Sequence, residues 1–511
     1  MHKKKLLIIR LSYFFMVPLF LLLLLNTLLS LFQTTYMDTN QPSSIARYKA
    51  DYPIILVVFV ILAVLITYFL CKKTKLMNEH HPRSLISCLA FACLFSILIL
   101  NIYKATACCD SLTSAEAAVA FLGGDYSPLV GDTYLAHYIH QIGVIAYFEL
   151  IFSLFGSYNY LAIQIINLLS ILLIVYLLYK ITLLLFNNPV IANITALLSM
   201  GLFTLFSYVT FVYGDILGFA LSLTAITFLI YYLKENKIVY LVLCSVLLGL
   251  SMLVRTNNMI ILIAVFIILL LNAVLQHHRA TVLYAIILMA IALFISNLPQ
   301  LYYRQVSKVE PFPEGSPKVS WIAMALQEND GVEDGWYNGY NWSVLNDNQF
   351  DTAKAKEACY ASIKDSLSTY IAEPKRGARF FLNKFKSQWN DPGYQSQINN
   401  EWASRHQDSY TDFYNWLVFG QGKLVLEWMM NLFQFLILLG TLIAIPNLLK
   451  SKNWDLPKLI LPLCIFGGYL FHLIWEAQGR YALPYFVMML PLAAAGIYRI
   501  ICLISHKNCK L

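Results

Sequence analysis

The chain has 511 residues, of which 59% are hydrophobic and only 13% charged. Soluble domains carry about 25% charged residues, so a water-soluble globular fold is excluded for most of this length. The net charge of +8 reads as cytoplasmic anchoring of a membrane protein, and no nucleic-acid partner is expected.

A hydrocarbon core about 30 Å thick is crossed by about 20 apolar helical residues. Lipid offers the backbone no partner, so such segments are helices. Residues 1–10 are basic and precede a long apolar run with no small-residue cleavage site, which predicts an uncleaved first span. Spans are expected at 11–32, 52–70, 84–103, 159–183, 189–213, 216–233, 238–254, 258–275, 281–302, 424–446, 458–475 and 481–503. The expected fold class is an all-α integral membrane bundle of about 12 transmembrane helices with extracytoplasmic juxtamembrane helices.

Segment 140–156 is apolar but short, and it contains Glu149. A carboxylate at mid-bilayer costs about 2.5–3.5 kcal/mol. Residues 1–10 and 71–83 are read as cytoplasmic, and 140–156 placed in the outer interface leaves the later basic stretches at 234–237, 276–279, 450–458 and 506–510 on that side too, with both termini inside. Three regions follow: an N-terminal transmembrane region, 1–303, with an outer loop at 104–158; an extracytoplasmic loop region, 304–423; and a C-terminal transmembrane region, 424–511.

In the loop region Pro311, Pro313 and Pro317 break structure, and 321–341 is rich in Gly, Trp, Tyr and Asn. Helical periodicity follows at 351–370 and 377–389. The second helix mixes Phe380, Phe381 and Phe385 with Lys384 and Lys386, a composition suited to a membrane surface. Trp321, Trp336 and Tyr337 are candidates for acceptor contacts, since loops on rigid scaffolds carry specificity. Ten cysteines are scattered. Free or buried thiols are expected, and a bridge from Cys359 to Cys108 or Cys109 would need a shared oxidising space.

Charged residues beside span ends are the candidates for chemistry. Asp110 follows the third span; it is either a general base at a membrane-proximal cavity or a solvated loop residue. Asp215, in a turn between two spans, is a second acid or a helix cap. Arg255, in another tight outer turn, offers a donor fork suited to phosphate or merely snorkels. Arg480 poses the same choice, with an ion pair to Glu476 as its alternative. His137 and His140 stand three apart with Gln141 beside them; that spacing can hold a metal, but it is a weak signal and no metal is assigned. Asn341-Trp342-Ser343 matches a glycosylation acceptor, which is used only in a secretory compartment.

The order of these features resembles the GT-C glycosyltransferases, closest to the protein-mannosyltransferase and aminoarabinose-transferase-like branch of bacterial envelopes. An outer-loop Asp110 precedes an interfacial segment ending in Phe155-Gly156. Asp215 follows in a tight turn, then Arg255, and finally Gly479-Arg480-Tyr481. The resemblance implies a membrane bundle with an outer-face cavity. It also implies a polyprenyl-phosphate sugar donor held in membrane lipid, and a glycan, glycolipid or protein acceptor. Asp110 matches its first-loop catalytic aspartate and Asp215, also expected to be catalytic, its second-loop acidic residue; Arg255 and Arg480 match its positions near the lipid phosphate. Glu476, His137, His140 and Gln141 are expected around the substrate. No cofactor is required by the sequence, although a divalent cation is compatible with it. The chain departs from the family in having Asp110-Ser111 where many members have Asp-Glu. His140-Gln141 replaces the usual proline-containing start of the interfacial helix, and two spans precede the usual first one. A transporter or flippase, or an inactive scaffold of an envelope-synthesis complex, are the alternatives; mid-span ionisable residues and inverted repeats would mark the transporter.

Overall fold

The computed structural model describes residues 2–38, 45–73, 83–276, 279–328, 331–407, 409–450 and 455–505. The basic stretches read as anchors at 72–83, 276–279, 450–458 and 506–510 fall wholly or partly outside these residues.

The protein is an all-α polytopic membrane protein. Among the described residues nine helices are long and apolar enough to cross a membrane, and two further bent pairs satisfy the same criterion. In chain order the first elements are helix α1 (His2–Phe32), strands β1 (Gln33–Asp38) and β2 (Ile45–Ala50), α2 (Pro53–Lys73) and α3 (Arg83–Tyr103). The strands pair antiparallel, Gln33 opposite Ala50 through Asp38 opposite Ile45. This hairpin occupies the segment between the first two spans. Its core residues Met37 and Ala46 pack on Trp336, Ile398 and Ala477, so the loop region supplies the face that a lone hairpin lacks.

Segment 104–136 is not a bare loop either. It holds α4 (Asp110–Leu122), whose Ala115, Ala117, Ala118 and Phe121 are buried. Alanine is the best helix former, and a short helix with so small an apolar face leaves little trace in hydropathy. Next comes α5 (Ile142–Phe155). Fourteen residues reach only about 21 Å, less than the thickness of a bilayer core. Its Glu149 accepts a hydrogen bond from the Tyr303 hydroxyl, which is how an apolar helix tolerates that carboxylate.

Helix α6 (Tyr160–Phe186) is an unbroken helix long and apolar enough to span. The span expected at 189–213 is instead broken: α7 (Pro189–Ser199) and the segment 203–210 meet at 52°. At the break the Ser199 hydroxyl bonds back to the Thr195 carbonyl at 2.8 Å, a contact that loosens the helix ladder and bends it. Then follow α8 (Asp215–Glu235), α9 (Ile238–Val254), α10 (Met259–Gln276) and α11 (Arg279–Val306).

The loop region contains α12 (Val319–Ala325), α13 (Tyr340–Asp347), α14 (Thr352–Ala372), α15 (Pro374–Trp389), α16 (Ser396–Ser404) and α17 (Asp412–Val418). Helix α15 packs one face into the protein. Its Phe380, Lys384, Phe385 and Trp389 are buried, and the Lys384 ammonium donates to the Ala325 carbonyl at 2.7 Å. Burial brings that lysine down to about 7, with the Glu476 charge opposing the shift. Cys359 is a free thiol buried among α12, α13 and α14, so the bridge to Cys108 or Cys109 is not formed.

Helices α18 (Gln421–Lys450), α19 (Ile460–Ile474), α20 (Gly479–Met488) and α21 (Leu490–Ile504) complete the bundle. The span expected at 481–503 bends by 46° between α20 and α21. Pro491, at the start of α21, lacks an N–H and its ring cannot sit against the carbonyl four residues earlier. Helix α2, by contrast, leaves Ile54, Val58, Ile61, Ile66 and Phe69 uncovered, the surface expected of a helix solvated by lipid.

Candidate active site

Two tight turns build the first half of the site. One leads into α8, the other joins α9 to α10, and they are pressed together. A Cβ on Gly214 would stand 2.1 Å from the Val254 carbonyl oxygen, and one on Gly218 would meet Asn258 Nδ2 at 2.8 Å. Only glycine permits this approach. Polar groups knit the same interface: Ser251 Oγ lies 2.6 Å from Ser222 Oγ and donates to the Gly218 carbonyl at 2.7 Å, and Asn258 Nδ2 donates to Ser251 Oγ at 2.7 Å.

The consequence is an ion pair. Asp215 is the first residue of α8, with Gly214 at the cap position, so it is not the N-cap. Its Oδ1 lies 3.2 Å from Arg255 Nε, and the two side chains are 14% and 12% exposed. Arg255 therefore does not snorkel; it is held inward by a carboxylate.

Arg480 enters from the other side. Its backbone N–H donates to Gln395 Oε1 at 3.1 Å, and the residues before it are gripped by the loop region. Gln388 Nε2 donates to the Gln478 carbonyl at 3.3 Å, and the Ala477 N–H to the Gly335 carbonyl at 2.9 Å. The expected alternative, an ion pair with Glu476, is not formed among the described residues; the Glu476 carboxylate instead accepts from Gln478 Nε2 at 2.9 Å. Aromatic faces shield the guanidinium: Phe211 at 5.9 Å, Tyr213 at 5.8 Å and Tyr481 at 5.2 Å. Tyr213 and Tyr481 also flank Arg255, at 5.5 and 4.9 Å. Two cations thus share two rings, an arrangement in which cation–π attraction is strengthened by desolvation.

The donors are incompletely used. Arg255 Nη2, Arg480 Nε and Asp215 Oδ2 are buried with no hydrogen-bond partner. Buried polar atoms are normally paired, so these guanidinium donors are free to take an anionic partner. Burial lifts Glu476 to about 7, against the pull of Arg480 and Arg255; below that pH the pocket carries one negative charge fewer.

Beside Arg480 opens a cavity lined by Asp110, Cys108, Cys109, Phe211, Gln395 and Gln478, among others. Asp110 is the exposed first residue of α4 and lines the same cavity as Arg480.

Residues 140–300 match the family model described as dolichyl-phosphate-mannose-protein mannosyltransferase. Over that stretch the chain is similar to this glycosyltransferase family. Among solved structures, ArnT from Cupriavidus metallidurans bound to undecaprenyl phosphate aligns at 13% identity over 86% of this chain and 77% of that one, with a TM-score of 0.32. The same protein in the apo state aligns at 12% identity over the same shares, with a TM-score of 0.28. No curated protein matches.

Asp110, Asp215, Arg255, Arg480 and Glu476 are all gathered within electrostatic range of one another. The remaining candidates divide. His140 lies within electrostatic range of Arg255 and Lys318, and burial followed by those charges brings it down to about 4, so it is neutral at pH 7. His137 is buried; its Nε2 lies 2.7 Å from Asp132 Oδ1 and its ring stacks on Trp342 at 3.8 Å. Those contacts tie the outer loop to the loop region and separate His137 from His140, whose ring meets Trp321 edge-on at 5.2 Å. Gln141 ends a short 3-10 turn before α5 and does not line the cavity. Among the described residues no cluster of three metal-ligating side chains is present.

Of the acceptor candidates, Trp336 requires correction. It is 2% exposed and its indole donates to Ser387 Oγ at 2.9 Å, so no face is left for a substrate. Trp321 stacks on Trp475, with the rings 6.1 Å apart and nearly parallel. Tyr337 stays 44% exposed, its hydroxyl 3.2 Å from that of Tyr138. Sequence reasoning missed Phe211, Tyr213 and Tyr481, although the last two stand within two residues of Asp215 and Arg480. It also missed Gln395, Asn399 and Trp402, which carry no local signal.

Proposed function

We propose that the protein transfers a sugar from a polyprenyl-phosphate donor to an envelope glycan, glycolipid or protein on the extracytoplasmic face of the cell membrane. The observation that carries this reading is the pair of buried, ring-flanked guanidiniums with unpaired donors beside a cavity that also receives a carboxylate. Arg255 and Arg480 hold the lipid phosphate and stabilise the charge that grows on it as the glycosidic C–O bond breaks. Asp215 orients Arg255. Asp110 accepts the proton that the acceptor hydroxyl loses as its oxygen attacks the anomeric carbon. The phosphate leaves as an anion, so no general acid is needed. The sidedness is supported by the positive-inside count, with α5 in the outer interface.

The test compares surface glycans by mass spectrometry in cells lacking the protein, complemented with wild type or Asp110→Asn at matched membrane levels. The expected result is a sugar lost in the null and restored only by wild type. Full restoration by Asp110→Asn would remove Asp110 from the base role.

A further inference from the structure

We propose that Cys108 and Cys109 are a redox modification site: a vicinal dithiol that exchanges with soluble disulfides and closes into a ring at the mouth of the cavity. Both cysteines line that cavity, both are free, and Cys109 is exposed while Cys108 is half-buried. They are consecutive residues on one cavity wall, which keeps the two thiols within reach of each other. Cys109 has a left-handed backbone, φ 51°, which costs a side-chain-bearing residue energy and makes this junction easier to reshape.

Cys109 is the entry thiol. The hydrogen bond from Cys108, with help from Arg480 and Arg405, brings it down to about 7, while burial and Asp110 oppose that shift. A thiol poised near ambient pH attacks disulfides efficiently. Its thiolate attacks oxidised glutathione, forming a mixed disulfide and releasing one glutathione thiolate. Cys108 then loses its proton, attacks the Cys109 sulfur and displaces the second glutathione. Two protein thiols are oxidised, one glutathione disulfide is reduced to two thiols, and no other reactant is needed. Adjacent Cα atoms are about 3.8 Å apart, closer than the 4.4–6.8 Å of ordinary disulfides. The ring is therefore strained and readily reduced, which suits a reversible mark.

Closing it also touches the site. The Cys108 carbonyl accepts from the Ser111 N–H, and the Cys109 carbonyl from those of Leu112 and Thr113. These bonds cap α4, whose first residue is Asp110. Ring closure twists both carbonyls and displaces Asp110, so oxidised protein transfers sugar more slowly. That consequence rests on the proposed base role, whereas ring formation does not.

The test treats the full-length protein in membranes with oxidised glutathione, then alkylates it and examines the peptide containing Cys108 and Cys109 by mass spectrometry. The proposal expects a peptide lighter by two hydrogens and free of alkylation, returning to the doubly alkylated form after dithiothreitol. Cys108→Ser, or Cys108→Ala where the serine variant does not accumulate, stops at a glutathione adduct on Cys109. Double alkylation of oxidised wild type, a persistent wild-type adduct, or no adduct on the Cys108 variant each overturns the proposal. A ring that forms with turnover unchanged counts against Asp110 as base and leaves the dithiol standing.

Discussion

The two arginines of the site are held in contrasting ways. Arg255 is fixed from within the bundle: its turn presses on the turn before α8, and Asp215 reaches it from there. Arg480 is fixed from far away, its backbone bonded to Gln395 at a separation of 85 residues and its approach gripped by Gly335 and Gln388. The difference teaches where precision and adjustability lie. The first arginine rests on close-packed membrane helices, which resist distortion. The second rests on side-chain hydrogen bonds of the loop region, so that region can tune phosphate binding while it shapes the space for an acceptor.

The largest effect should come from breaking the close-packed half. Gly214→Val puts a side chain where a Cβ already meets a carbonyl oxygen. Overpacking costs about 1–3 kcal/mol of stability, and a displacement of about 1 Å at a reactive centre costs about 100-fold in turnover. A lowered unfolding temperature together with that loss is expected; full activity at unchanged stability would show that the turns need not touch.

Removing Gln395 sharpens the other half. Gln395→Ala deletes one hydrogen bond, worth about 0.5–1.5 kcal/mol, so a loss of about 3- to 10-fold in transfer rate is expected with no change in accumulation. A loss as large as that of the glycine variant would erase the proposed contrast.

The smallest effect is a pH dependence. Glu476 titrates near 7 because burial raises it. Below that pH it is neutral, and the two guanidiniums face the donor with less competition; above it, the carboxylate competes with the phosphate. A phosphodiester donor keeps its own charge over this window, so its affinity should rise as pH falls from 8 to 6. Glu476→Gln should abolish that trend. Equilibrium binding measured across the window checks both, and an unchanged slope in the variant would exclude Glu476 as the titrating group.

Much of the bundle was legible because lipid imposes length and hydrophobicity on each span, and the charged residues gathered at the site were legible because they stand at span ends. What escaped depended on partners distant in sequence. The 33–50 hairpin needs Trp336 and Ile398 to cover it. Lys384 read as a surface residue because nothing local reveals that its ammonium meets the Ala325 carbonyl. Helix α4 escaped because its buried face is mostly alanine. Trp336 read as a substrate contact for the opposite reason: aromatic residues in loops often bind ligands, and only packing distinguishes one that serves the core.

The central claim is that the arginine pair binds lipid phosphate while Asp110 acts in chemistry. The most direct test measures equilibrium binding of a polyprenyl phosphate to the full chain in nanodiscs, for wild type, Arg255→Met with Arg480→Met, and Asp110→Asn. The account predicts binding by wild type and Asp110→Asn alike, and loss in the double arginine variant. Undiminished binding without the two arginines would contradict it.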